Sequence, residues 1–134
     1  MINIVGCIMI QDPHSFARGD ALHYSHLCDL VRNLDRIGER KEDAESIIIE
    51  PDWYKEHSRG LYSLCDAFIL YFPAVAIPIE YKRTNSKRQK AREQLLMGKR
   101  YAEDVLFRAV PYGKIVYYHG GRLDVERIDF RTIA

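Results

Sequence analysis

No run of apolar residues in this 134-residue chain approaches the roughly 20 needed to cross a bilayer, and 29% of the residues are charged. A membrane protein is therefore excluded. The first residues, MINIVGCIMIQDPH, lack the basic start that opens a secretory signal, so a soluble, cytoplasmic protein is expected. Cysteine is scarce. Cys7, Cys28 and Cys65 are odd in number and without framework spacing, which excludes a disulfide scaffold and makes reduced core thiols the expectation. His23, His26 and Cys28 find no Cys-x-x-Cys or distant His pair to complete four zinc ligands. There is no Walker A loop and no Rossmann glycine pattern, so a nucleotide-driven motor and a dinucleotide enzyme find no support. Repeats, low-complexity tracts and Pro/Gly/Ser-rich linkers are also missing. What remains is one domain over residues 1–134, with 47% apolar residues to build its core.

The formal net charge of +1 hides a division along the chain. Residues 1–81 hold 7 basic and 13 acidic groups, whereas residues 82–100 (KRTNSKRQKAREQLLMGKR) hold 8 basic groups and a single acidic one. Residues 101–134 balance at 5 of each. One short stretch carries the positive field.

The N-terminal INIVGCIMI reads as one buried strand, followed by a QDPHSFARGD loop. Leu27, Leu30, Val31, Leu34 and Ile37 recur at spacings of three and four, which predicts an amphipathic helix from about Asp20 to Ile37, closed near Gly38. Ser46–Glu50 is a strand or the end of an element. Leu64–Phe72 and Val75–Tyr81 are apolar runs separated by Pro73-Ala74, which predicts a β-hairpin. Ser86–Leu106 places Ala91, Leu95, Ala102 and Leu106 on one helical face and Lys and Arg on the other. Its basic face, without its neighbours, is a solvated helix surface, and Leu95, Leu96, Met97 and Ala102 are core contacts. The segments KIVYY and RLDVERIDF flank His119-Gly120-Gly121 and form a second hairpin.

Side chains alternate along a strand, so Glu80 and Lys82 share a face that Ile79 and Tyr81 do not. Taken alone, this E-x-K spacing describes many salt-bridged strand ends. The hairpin gives it meaning. A three-residue turn of Pro73, Ala74 and Val75 would pair Phe72 with Ala76, set Asp66 opposite Lys82 and Phe68 opposite Glu80, and bring all three charges onto one face. A two-residue turn would break the cluster, because a one-residue slip exchanges the faces. Two such carboxylates suit a hard divalent cation, since Mg²⁺ takes one or two of them with water and substrate phosphate. Lys82 beside them could orient the attacking water and stabilise developing charge. The basic stretch that follows would meet a nucleic-acid backbone independently of base sequence.

Asp66, thirteen intervening residues, Glu80-x-Lys82 on a strand and then a basic helix containing Gln94 together resemble the PD-(D/E)xK nuclease superfamily. The stretch IPIEYKRTNSKRQKAREQLLMGKRYAE is similar in style to its exonuclease and Holliday-junction-resolvase branches. The resemblance spans roughly residues 60–118. It implies a restriction-endonuclease-like α/β fold, with a central mixed β-sheet flanked by helices, and phosphodiester hydrolysis dependent on Mg²⁺ or Mn²⁺. Asp66 and Glu80 would be the metal ligands, Lys82 would position the water, and Gln94 and Tyr101 would take the accessory Gln and Tyr positions. An upstream acid often joins such sites, and Glu45 and Glu50 are the candidates here.

The match departs from the pattern in three places. Cys65 stands where Pro precedes the family's Asp, although a literal Pro51-Asp52 lies 28 residues before Glu80. Pro78 interrupts the second strand, and the seven-residue spacing of Gln94 and Tyr101 is longer than usual. Arg83, Lys87, Arg88, Lys90, Arg92, Lys99 and Arg100 are the expected contacts to DNA, with RNA left open. No membrane partner is expected, and two copies of the chain would suit a duplex or junction. The competing expectation is a nuclease-like fold that binds nucleic acid without cutting it. Trp53, Tyr54 and His57 could stack on bases, although an aromatic at the edge of a core is the commoner case.

Overall fold

The computed structural model describes residues 2–4, 7–11, 34–49, 65–83, 87–119 and 122–130. Among the described residues, seven strands form one sheet in chain order: β1 (Ile2–Ile4), β2 (Cys7–Gln11), β3 (Ala44–Ile49), β4 (Ala67–Tyr71), β5 (Val75–Lys82), β6 (Tyr112–His119) and β7 (Arg122–Asp129). Pairing is parallel between β2 and β3 and between β5 and β6, and antiparallel elsewhere. The sheet is mixed. One helix, α1 (Arg88–Asp104), links the parallel strands β5 and β6, as such a connection requires. This is an α/β architecture, and no helix among the described residues is long and apolar enough to cross a membrane.

The N-terminal run is not one strand. Ile4 pairs with Cys7, so the chain folds back between β1 and β2. The ambiguous segment after residue 43 is strand β3, lying between β2 and β4. Of the helix expected from Asp20 to Ile37, the described part is a short 3₁₀ turn, Leu34–Ile37. Gly38 follows at φ 76°, the left-handed conformation that ends such a segment at little cost in glycine.

Both faces of the central strands are covered, which is why all five residues of β4 are buried. Leu34, Ile37, Ile47, Ala67, Ile69, Ile77, Ile79 and Val116 form the core on one face. The other face packs Phe68, Leu70, Ala76, Ile115, Tyr117 and Ile128 against Ala91, Leu95, Tyr101 and Ala102 of α1. Ala91, Leu95, the buried Gly98 and Ala102 lie four, three and four apart, the stripe a helix needs to bury one side. Leu96 falls outside that stripe and is exposed, and Met97 is half-buried, so neither is the core contact expected of it.

The hairpin register differs from the expected one by two residues. Tyr71 pairs with Val75, and the turn is Phe72–Ala74. Val75 belongs to the strand because it also bridges Ala109, while Ala76 N–H donates to the Ala109 carbonyl at 2.9 Å. Arg108 donates to the carbonyls of Tyr71 and Val75, which closes the ladder at this pair. The turn still has three residues, so the faces keep their expected parity. Pro78 pairs with Phe68 in the β4 ladder, and the β6 ladder begins immediately after it at Ile79.

Candidate functional site

The last β4–β5 pair is Ala67 with Ile79, and one step further sets Asp66 across from Glu80. The expected opposition of Asp66 with Lys82, and of Phe68 with Glu80, is therefore corrected to Asp66 with Glu80 and Phe68 with Pro78. A shift of two residues moves partners without exchanging faces, so Asp66, Glu80 and Lys82 converge as the parity argument required. They do so on the α1 side of the sheet, since Phe68 and Ala76, of the same parity, belong to the core under the helix.

Glu80 is 1% exposed, whereas Asp66 and Lys82 are half-buried. The Tyr81 N–H donates to Asp66 Oδ2 at 2.7 Å, pinning that carboxyl to the backbone between Glu80 and Lys82. Burial first, then the hydrogen bond to Asp66 and its negative charge, push the Glu80 carboxyl up to about 10. Lys82 acts in the opposite direction, which places its charge within electrostatic reach of Glu80. A carboxyl raised this far keeps its proton at neutral pH and can donate it to a neighbouring carboxylate. Glu80 Oε2 is buried with no hydrogen-bond partner. A buried polar atom without a partner is costly in a settled core.

The helix closes the site from above. A Cβ added to Gly98 would lie 2.9 Å from Cys65 Sγ and 3.3 Å from Pro78 Cβ, so the α1 backbone rests directly on the hairpin there. Because α1 returns the chain for a parallel β6, it runs back along β5. Gln94 lies about 6 Å from Gly98 toward the helix start, and Glu80 lies about 7 Å from Pro78 toward the strand end. Both are displaced in the same direction, and Gln94 Oε1 is likewise buried without a hydrogen-bond partner. Tyr101 stacks on Phe68 with ring centroids 5.9 Å apart, on the side of the helix that holds Gln94.

Cys65 is the buried thiol expected of it. It donates to the Ala67 carbonyl at 3.3 Å, and burial first, then the charges of Glu80 and Asp66, hold its pKa well above the ordinary value. That environment disfavours the thiolate on which a nucleophile depends. Glu45 is not brought to the site. It lies at the Tyr71 end of β3, bound by Arg108 at 2.9 Å. Glu50, Asp52, Trp53, Tyr54, His57, His23, His26 and Cys28 lie outside the described residues.

The seven basic residues do not share one surface. Arg83, Lys87, Arg88, Lys90 and Arg100 are exposed, and Arg92 and Lys99 are half-buried. Arg88 Nε donates to both carboxylate oxygens of Glu126, at 2.8 and 2.9 Å, and its Nη2 donates to Oε2. Arg92 adds its charge beside the same carboxylate, and the Arg88 bonds hold the Glu126 pKa below the usual range. Lys99 pairs with Glu103 at 2.8 Å. Tyr117, directly across the β6 ladder from Lys82, donates to Glu126 Oε1 at 3.3 Å. Sequence reasoning missed Tyr117 and Glu126, because only the β5–β6–β7 register sets Tyr117 beside Lys82 and brings Glu126 of the next strand within its reach.

A second polar cluster, also unforeseen, lies on the opposite face of the sheet. Lys114 Nζ pairs with Glu39 Oε2 at 2.5 Å and donates to the Ile37 carbonyl at 2.6 Å, both side chains being buried. Tyr71 and Tyr112 donate to Glu39 at 2.7 and 3.0 Å. Every charge here has partners, which marks a structural strut, not an open site.

Among the described residues, no group of three or more His, Cys, Asp or Glu side chains is arranged to hold a metal ion. Compared with family models, curated proteins and solved structures, the chain matches none.

Proposed function

We propose that this protein is a nuclease of restriction-endonuclease-like fold that hydrolyses phosphodiester bonds of DNA with the help of Mg²⁺ or Mn²⁺. The observation that carries the reading is the pairing of a buried, proton-sharing Glu80 with Asp66, beside the Lys82 cation and under Gln94. Strongly perturbed carboxyls next to a cation are where active-site chemistry concentrates. The donor set also fits the metal, because two carboxylates leave room for water and a phosphate oxygen, and Glu80 Oε2 has no competing bond. When bound by Asp66 and Glu80, the ion would supply Lewis acidity at the scissile phosphate and lower the pKa of bound water. Asp66, tied to the Tyr81 N–H, holds its orientation before substrate arrives. Lys82 orients the attacking water and neutralises charge that develops on the phosphate. Gln94 supplies a side-chain amide above Glu80 that can align water or a phosphate oxygen.

One observation favours a second reading, a nucleic-acid-binding protein that does not cut. Asp66 and Glu80 already satisfy one another through their shared proton. Incubation with labelled single-stranded, duplex and branched DNA, and with RNA, with and without Mg²⁺ or Mn²⁺, separates the two. The nuclease reading expects metal-dependent cutting that Asp66→Asn, Glu80→Gln and Lys82→Ala each reduce by at least about a hundredfold, the scale of removing one group from a preorganised site. Binding without cutting at any metal concentration supports the second reading, and cutting that survives in both carboxylate variants moves the site elsewhere.

A further inference from the structure

The seven basic residues that follow β5 divide by helix geometry into groups with different tasks. At about 100° per residue, the buried stripe of Ala91, Leu95, Gly98 and Ala102 fixes which way each side chain leaves α1. Arg88, Arg92 and Lys99 leave from one flank, and Arg88 reaches Glu126 on β7, so this flank overhangs β6 and β7. Lys87, Lys90 and Gln94 leave from the other flank with Tyr101, which stacks on Phe68 of β4, so this flank overhangs the strand that carries Asp66. Arg100 and Glu93 project from the back of the helix, away from the sheet.

Charge compensation follows the same division. On the β7 flank Arg88 is bound by Glu126, Arg92 lies beside that carboxylate, and Lys99 is held by Glu103. On the β4 flank Lys87 and Lys90 are exposed and form no ion pair among the described residues, and neither does Arg83, exposed just past the end of β5. A cation already paired with a carboxylate must lose that bond to meet a phosphate, whereas an exposed unpaired one releases only counterions.

We infer that Arg83, Lys87 and Lys90 form the track along which the phosphates of one nucleic-acid strand reach Asp66 and Glu80, and that Arg88, Arg92 and Lys99, already faced by carboxylates of β7 and of α1 itself, do not contact the strand. The inference rests on the reading of the site as acting on nucleic acid, and it narrows the seven basic residues to three. It also gives the strand a side of entry, over β4 and not over β7.

The test is equilibrium binding of a fluorescent single-stranded DNA in EDTA across a salt series, with folding of every variant checked by urea denaturation. Each phosphate contact on a single strand contributes about 0.7 to the slope of log K against log salt. Arg83→Ala/Lys87→Ala/Lys90→Ala is expected to lower that slope by about 2, and Arg88→Ala/Arg92→Ala/Lys99→Ala to leave it unchanged. Because loss of the Arg88–Glu126 bond could unfold the chain, Arg92→Gln/Lys99→Gln serves as a second β7-flank variant that keeps it. A slope that falls in either β7-flank variant, one that stays constant in the β4-flank variant, or wild type that binds no strand overturns the inference. Cutting of the same DNA by wild type in Mg²⁺ is scored separately. Cutting together with a β7-flank slope change leaves the nuclease reading standing and removes the track. The expected slopes without any cutting do the reverse.

Discussion

Glu80 lies across from Asp66 at the end of the β4–β5 hairpin with its carboxyl pushed up to about 10, while the Tyr81 N–H between Glu80 and Lys82 holds Asp66 Oδ2 at 2.7 Å. The strand that buries Glu80 thus also supplies the donor that fixes its partner. A carboxyl is held where water would not leave it neutral.

This has a consequence for stability against pH. The folded Glu80 value, about 10, lies above its ordinary 4.5, so between these limits the unfolded chain gives up a proton that the folded chain keeps. Stability from this group is complete below about pH 4.5 and is lost as pH rises toward 10, with a limiting slope of about 1.4 kcal/mol per pH unit. Glu80→Gln keeps the shape and removes the titration. Between pH 5 and pH 8, urea unfolding should find wild type losing up to about 4 kcal/mol of stability relative to this variant. A constant difference across that range would refute the shared proton.

Metal binding should release that proton. An ion held by Asp66 and Glu80 needs both as carboxylates. Calorimetric titration of Mn²⁺ at neutral pH, in buffers of different ionisation enthalpy, should count about one proton released per ion. Apparent affinity should rise about tenfold per pH unit below the folded Glu80 value. Binding without proton release would place the ion elsewhere.

The Glu39–Lys114 pair on the opposite face is a matter of stability alone. Lys114→Met leaves Glu39 buried beside two tyrosines with no counter-charge, and should cost about 3–5 kcal/mol in urea unfolding. Adding Glu39→Gln should recover part of that loss, because no buried charge then remains. An equal cost in the single and double variants would contradict the pairing.

Gly98→Ala would ordinarily strengthen a helix by about 1 kcal/mol. Here the new methyl would meet Cys65 Sγ at 2.9 Å, so α1 must lift from Pro78, and a net loss of about 1–3 kcal/mol is expected. Cys65→Ala removes the sulfur and should return much of the loss in the double variant, a coupling that a double-mutant cycle measures.

Phe107, three residues past the end of α1, has φ 55° and an exposed ring, a conformation that disfavours any side chain and brings this one no burial. Phe107→Gly should raise stability by about 1 kcal/mol, read as a higher urea midpoint at unchanged slope. A lower midpoint would mean that the ring makes contacts with residues outside the described set.

Much of the site was legible because a strand has a period of two. Asp66, Glu80 and Lys82 all carry even numbers, so any hairpin turn with an odd number of residues collects them on one face, whether it starts at Phe72 or Pro73. The same insensitivity explains why their partners were misplaced. A two-residue shift leaves every side chain on its expected face, and hydrophobic pattern cannot detect it. Arg108 and Ala109, more than thirty residues on, select the register by binding Tyr71, Val75 and Ala76.

By itself the sequence determined what local periodicity controls. It placed the charged trio on one face and the apolar stripe of α1 against the sheet, and it put a basic segment directly after Lys82. Only the tertiary structure decided which charges meet. Glu126 neutralises Arg88 from 38 residues away, and Lys114 donates to the Ile37 carbonyl across 77, bringing it to Glu39 on the same segment. Partners so distant are chosen by how the sheet stacks its strands. The energy that holds each buried charge is the desolvation cost that only a packed fold imposes.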